Sequence, residues 1–257
     1  MVKRAIIQYF YWMRELLKGN FGYSIKSHQP VWDMISSHIG PTLLLMGSAF
    51  IVGLLIALPA GIFSATHQYS KRDYSIVTSF FLAMILTYIF TVKLKILPSG
   101  GMTTLGVGGG FWDILKHMVM PVLVLAVGMA GTNIRYIRSA MLEILQKDYL
   151  RTAKAKGIGH RKVTNKHALR NALVTVITIF GMQIPELFGG AVIIEQVFNW
   201  PGLGLMTMSA ISNRDFPVIM GVCLLSAIVV LLGNLLTDIL YAVADPTIRL
   251  GKKGGNT

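Results

Sequence analysis

Five long apolar segments dominate the pattern of hydrophobic and polar residues along this 257-residue chain. Each has roughly the 20 helical residues that are needed to cross the ~30 Å hydrocarbon core of a bilayer. Within that core every backbone N–H and C=O group must be bonded inside the segment, which favours helices. The pattern therefore predicts an all-α polytopic membrane protein with five transmembrane helices, at about 41–64, 74–92, 117–137, 171–194 and 216–241.

The basic residues give the expected orientation of these helices. Only 14% of the residues are charged, against about a quarter in soluble domains, yet the formal net charge is +13. In membrane proteins Lys and Arg collect in cytoplasmic loops. One side of the alternating helices holds Lys71 and Arg72, the segment 138–170 and the tail 246–257. We therefore expect that side, including the C-terminus, to be cytoplasmic, and we expect no nucleic-acid partner.

The loop after the third span carries seven basic residues and no acidic residue between Arg151 and Arg170. A DNA-binding helix-turn-helix would explain the charge. However, the two helices predicted on either side of the glycines at 157 and 159 continue directly from membrane spans, which leaves no linker for reaching a groove of DNA. A solvated loop would explain the charge through topology alone. A third interpretation, a loop that another protein surface approaches closely, is favoured by the small residues Ala153, Ala155 and Gly157.

The same loop resembles the cytoplasmic signature of permease subunits of ATP-binding-cassette importers, in the dipeptide, oligopeptide and nickel branch. The matching stretch is DYLRTAKAKGIGHRKVTNKHALRNAL, which contains the branch's Arg-Thr-Ala-x-Ala-x-Gly pattern. Further matches are GNFGYSIKSHQPV, LPSGGM, EQVFNWPGLG and DILYAVADPTIR. The resemblance implies an ABC transporter type-1 transmembrane domain over 41–245, between an extracytoplasmic or interfacial segment over 1–40 and a cytoplasmic tail over 246–257.

The resemblance also bears on the basic segment 1–40. On its own, Ala5–Gly19 is interpreted as an amphipathic helix at the membrane interface. Members of the family usually have six spans, and the alternative is that a first span, before residue 1, is absent from this chain. We favour this alternative. The region around 77–89 is also shorter than in the family, so a truncated, inactive copy is kept as a further alternative.

The resemblance implies that this chain forms the translocation pathway for short peptides, with nickel and glutathione as further substrates. No Walker sequence is present, so we expect ATP and Mg²⁺ on separate subunits and no catalytic, metal or cofactor residues in this chain. The expected partners are a second permease, two ATP-binding subunits and an extracytoplasmic solute-binding protein, in a prokaryotic plasma (inner) membrane. The implied ATPase-coupling residues are Arg151, Thr152, Ala153, Ala155, Gly157 and His167.

Polar residues within or beside the spans are the candidates for the pathway and its gate. Ionisable groups inside a bilayer are costly, which makes Glu186, with Gln183, a candidate to face the substrate. The alternative is that Glu186 satisfies backbone groups freed by Pro185 or a neighbouring helix. At the outer boundary, the resemblance places a gate near the docked binding protein, in a re-entrant turn with the candidates Glu195, Asn199, Pro201 and Gly202.

Two other classes of membrane protein compete with this interpretation. A membrane enzyme is disfavoured because the sequence has no His-Glu-x-x-His motif and no Ser in a Gly-x-Ser-x-Gly elbow. An ion-coupled secondary transporter or channel could use Glu186 for ion coupling. That class leaves the small residues of the 151–170 loop unexplained, and it predicts transport driven by an ion gradient rather than by ATP.

Overall fold

A computed structural model describes residues 10–11, 13–16, 18–66, 85, 88–94, 97–98, 100–104, 106, 109–147, 180–181, 183, 187 and 191–244. In these ranges the protein is helical and contains no strand, and its β-type pairing is the single antiparallel bridge Tyr23–Pro30. The expectation of an all-α protein is therefore confirmed.

The helices are α1 (Val31–Thr66), a short π-helix (Tyr88–Lys93), α2 (Phe111–Leu145), α3 (Val192–Val197), α4 (Leu203–Ser212) and α5 (Phe216–Ala244). Three helices in the described ranges, α1, α2 and α5, are long and apolar enough to cross a bilayer. Each contains one of the predicted spans and extends past it. Helix α1 begins ten residues before the predicted start at 41, because its polar first turns continue the helix beyond the apolar run.

Several predictions fall wholly or largely outside the described residues. The second and fourth predicted spans, 74–92 and 171–194, are described only in part. The pathway candidate Glu186 and the predicted tail 246–257 lie outside those ranges, as do the six ATPase-coupling residues Arg151, Thr152, Ala153, Ala155, Gly157 and His167.

Helices α1 and α2 pack side by side and run in the same direction. Gly53 lies against Ala126, and Gly61, two turns later, lies against Ile137. Small side chains let two helices in a membrane approach closely. The core between them is formed by Ala57, Ala130, Ile134, Ile137, Ala140 and Met141. Spans that alternate in direction require the first and third predicted spans to be parallel, and α1 and α2 correspond to these two.

Helix α5 begins at the same end of the bundle as α1, and α4 packs against both. This shared N-terminal end of the spans has a core of Val31, Ile35, Leu203, Met206, Ala210 and Val218. The sequence predicts a re-entrant turn with Asn199, Pro201 and Gly202 at the outer boundary. The structure forms helix α4 directly after these residues, because Leu203, Met206 and Ala210 line one face that is covered by the ends of α1 and α5.

Candidate functional site

The predicted gate residues lie at the shared N-terminal end, where α4 begins. The first N–H groups of any helix have no partner within the helix. Here the amide of Leu205 donates to Oε2 of Glu195 at 3.0 Å, and the amide of Leu203 donates to Oγ1 of Thr42 at 2.7 Å. The Thr42 hydroxyl in turn donates to Oε1 of Glu195 at 2.9 Å. Glu195 and Thr42 therefore fasten the start of α4 to α1.

Burial and charge give this contact its strength. Glu195 and Thr42 are both 0% exposed. A buried carboxylate is costly unless hydrogen bonds and opposite charge compensate it, and the N-terminus of a helix supplies partial positive charge. The structure thus gives Glu195 an anchoring position inside the protein, with its carboxylate bonded within the chain.

Two glycines leave the space that this carboxylate occupies. A Cβ atom at Gly202 would overlap the Glu195 carboxyl group. A Cβ atom at Gly204 would lie 2.7 Å from Cα of Val192 and 2.8 Å from Oε2 of Glu195. Both separations are far below ordinary van der Waals contact, so the turn from α3 into α4 requires glycine at these positions.

Trp200 provides a second tie between the turn and α1. Its indole Nε1 donates to the carbonyl oxygen of Pro41 at 2.9 Å, and its backbone amide donates to the carbonyl of Glu195 at 2.8 Å. The Trp200 side chain is fully buried, and a buried Trp N–H group usually needs a hydrogen-bond partner. The ring packs among Leu45, Ala49, Met118 and Val122, between α1 and α2.

Asp215, which the sequence analysis missed, fastens the segment before α1 to the start of α5. Ser24 Oγ donates to Oδ2 at 2.5 Å, and the amide of Ile25 donates to Oδ1 at 3.1 Å. Burial raises the pKa of Asp215, but hydrogen bonds from Ser24 and from the amides of Ile25, Lys26 and Val218 outweigh it and hold the pKa below its ordinary value. An Asp directly before an apolar run is a helix N-cap signal that the sequence did contain.

A cavity of about 420 Å³ opens between these two anchors. We call it the Asn199 cleft. Its walls come from the segment before α1 and the first turns of α1, from the turn after α3, from α4 and from Asp215 at the start of α5; they include Lys26, Met34, His38, Asn199, Leu205 and Asn213. Of the predicted gate residues, Asn199 and Pro201 line this cleft, whereas Glu195 and Gly202 lie in the adjoining anchor.

Gln183, the remaining pathway candidate in the described ranges, contacts α2. Its Nε2 donates to Oδ1 of Asn133 at 2.8 Å. Asn133 is 1% exposed, and its own Nδ2 is buried with no hydrogen-bond partner among the residues that the structure describes. Sequence reasoning missed Asn133, although an amide inside an apolar span is the signal for an interhelical hydrogen bond. Within the described part of the chain, no three His, Cys, Asp or Glu residues come together as metal ligands.

Solved structures and curated sequences are similar to this chain over most of its length. The crystal structure of an amino acid ABC transporter with histidines superposes with a TM-score of 0.60 over 81% of this chain and 93% of that chain, at 12% identity, which shows a common fold. The oligopeptide transport system permease protein AppB of Bacillus subtilis (strain 168) is 44% identical over 94% of this chain and 80% of its own length.

A second relative is named for a different substrate. The glutathione transport system permease protein GsiC of Escherichia coli (strain K12) is 36% identical over 94% of this chain and 79% of its own length. The family model for binding-protein-dependent transport system inner membrane components matches residues 53–250. This match and the two relatives show that the chain belongs to the family of binding-protein-dependent transport system inner membrane components.

Proposed function

We propose that this chain is a permease subunit of an ATP-driven importer and forms part of the pathway for short peptides. The observation that carries the proposal is the 44% identity, over 94% of the chain, to a permease named for oligopeptide transport. The relative named for glutathione transport supports the same class, since glutathione is itself a short peptide. Nickel is the remaining substrate of the branch that the motifs resemble.

The energy for transport comes from separate ATP-binding subunits. The chain has no Walker sequence, so we assign ATP binding to those subunits. We propose that the loop over 151–170 contacts an ATP-binding subunit, with Ala153, Ala155 and Gly157 as the points of close approach. A second permease and an extracytoplasmic solute-binding protein complete the assembly, and the basic C-terminal tail is cytoplasmic.

In this assembly the shared N-terminal end of the spans faces the extracytoplasmic side. Glu195 with Thr42, and Asp215 with Ser24, join the starts of α1, α4 and α5 to one another. Packed elements that are cross-linked in this way move together, as rigid bodies do in alternating access. We propose that this end acts as one block that opens and closes the pathway when ATP binds to the partner subunits.

Uptake by the reconstituted assembly tests the proposal. The chain is purified with its co-purifying subunits, placed in proteoliposomes and supplied with the binding protein and a mixture of tripeptides. We expect peptide accumulation that requires ATP inside the vesicles and persists when ionophores collapse the ion gradients. Accumulation that follows an ion gradient and ignores ATP would replace this proposal with a secondary transporter.

A further inference from the structure

The Asn199 cleft has the size and chemistry of a ligand site. Its volume of about 420 Å³ falls within the roughly 300–1,000 Å³ that is typical of small-molecule sites. It combines the apolar side chains of Met34, Leu205 and Met206 with polar groups from three separate segments. Methionine is flexible and polarizable, which suits a wall that must contact side chains of different shapes.

Some polar groups in the cleft already have hydrogen-bond partners, whereas others can still bond to a ligand. Asp215 and Ser24 bond to each other, and Nδ1 of His38 lies 2.7 Å from the carbonyl oxygen of Met34. The side chains of Lys26 and Asn199, by contrast, have no hydrogen-bond or ion-pair partner within the part of the chain that the structure describes.

One end of the Asn213 side-chain amide, the Nδ2 group, already has a hydrogen-bond partner. Its Nδ2 donates to the carbonyl of Ser209 at 2.6 Å, which leaves Oδ1 as an acceptor. The cleft therefore offers one ammonium group from Lys26, one carboxamide from Asn199 and one amide oxygen from Asn213. A short peptide carries the complementary groups: a terminal carboxylate, and amides that both donate and accept.

The backbone around the cleft is held in an uncommon conformation. Three non-glycine residues in the described ranges have positive φ: His28 at 55°, Asn199 at 47° and Arg214 at 55°. Asn199 lines the cleft, and the other two directly adjoin the lining residues Ser27 and Asn213. Such conformations cost free energy and concentrate at ligand sites, where the surrounding structure maintains them.

We propose that the Asn199 cleft binds a short peptide, with the peptide's C-terminal carboxylate at Lys26 and its backbone amides at Asn199 and Asn213. This proposal rests on the proposed function and extends it. It assigns peptide recognition to the permease chain itself, at the extracytoplasmic end of the pathway. Lys26 is exposed, so its ammonium is accessible to a peptide carboxylate, and a charge-assisted hydrogen bond of this kind is shorter and stronger than a neutral one.

Equilibrium binding to the purified assembly, in lipid nanodiscs and without the binding protein, tests the cleft. The probes are a mixture of tripeptides as free acids and the same mixture as C-terminal amides, with retained peptides quantified by mass spectrometry. Lys26→Met is expected to weaken binding of the free acids about tenfold, which is about 1.4 kcal/mol, and to leave the amides within about twofold. Lys18→Met is the control, because Lys18 is exposed and paired with Glu15 outside the cleft.

A second variant removes the carboxamide without disturbing the backbone. Asn199→Gly keeps the positive φ, which glycine adopts readily, and is expected to weaken free acids and amides alike. Absence of saturable binding, or equal discrimination between acid and amide in the wild type and in Lys26→Met, would overturn the proposal. A separate co-purification with the binding protein tests a protein-docking surface. If the variants weaken its attachment while peptide binding is unchanged, the peptide proposal is overturned in favour of such a surface.

The two proposals fail in different ways. ATP-driven uptake of tripeptides that persists while the assembly alone retains none of them would remove the peptide site and leave the transport function intact. Absence of ATP-driven uptake for every tripeptide in the mixture would remove the transport function itself.

Discussion

Glu195 joins two helices through one carboxylate, and its replacement should affect both. Glu195→Ala removes the acceptor for the Thr42 hydroxyl and the Leu205 amide. A buried donor without a partner costs about 1–3 kcal/mol, so we expect a clear fall in the thermal unfolding temperature of the purified assembly. Glu143→Ala is the control, because that side chain is 69% exposed and pairs with Lys147. Equal unfolding temperatures for the two variants would contradict the anchoring role.

Gly202 tests the steric part of the same arrangement. In Gly202→Ala the added methyl group would overlap the Glu195 carboxyl, and overpacking of this kind costs about 1–3 kcal/mol. We expect less folded chain in the membrane and a lower unfolding temperature. In Gly110→Ala the new Cβ meets no atom within 4 Å, so this variant should match the wild type. A Gly202→Ala protein as stable as Gly110→Ala would show that the turn can relax without cost.

At the scale of the element, Asp215 makes the start of α5 sensitive to acid. Its pKa in the folded protein is below the ordinary value of 3.8, so the folded state favours the ionised form. The resulting stability is present above 3.8 and is lost as the pH falls through the lower, folded pKa. Asp215→Asn keeps an N-cap side chain but removes the charge, so it should be less stable near neutral pH by about 1 kcal/mol, the typical difference between hydrogen bonds to charged and to neutral groups.

Thermal unfolding of the wild type and of Asp215→Asn over a pH series measures this contribution. The difference between the two should narrow as the pH falls below 3.8. A difference that stays constant across the acid range would mean that the charge of Asp215 contributes nothing to stability. Ser24→Ala should reduce the same difference, because the Ser24 hydroxyl is one of the donors that lower the pKa.

The elements also show how far the sequence alone could lead. Apolar runs and the limits of a bilayer were sufficient to predict the all-α class and the location of α1, α2 and α5. They could not place helix α4, which has only ten residues and contains both small and apolar side chains. Glu195 was singled out by its position beside a span, but its partner Thr42 is 153 residues away. No local pattern joins such a pair, so its anchoring role appears only in the folded chain.

At the scale of the whole molecule, the proposed contact with the ATP-binding subunits can be tested by one substitution. Gly157→Glu places a charged side chain where close approach by a partner is proposed. We expect both the recovery of ATP-binding subunits with the tagged chain and ATP-driven uptake to fall together. Gly110→Glu, at the opposite end of the chain's third predicted span, is the matched control. Unchanged recovery and uptake in Gly157→Glu would place the contact elsewhere.

The hydrogen bond between Ser24 and Asp215 also joins two residues that are synthesised at different times. These residues are 191 positions apart, and the amides of Ile25 and Lys26 share the same acceptor. Ser24 is synthesised 191 residues before Asp215, so the segment before α1 can form this contact only after the start of α5 has been made. Chains that stop before α5 would leave these three donors without the Asp215 carboxylate.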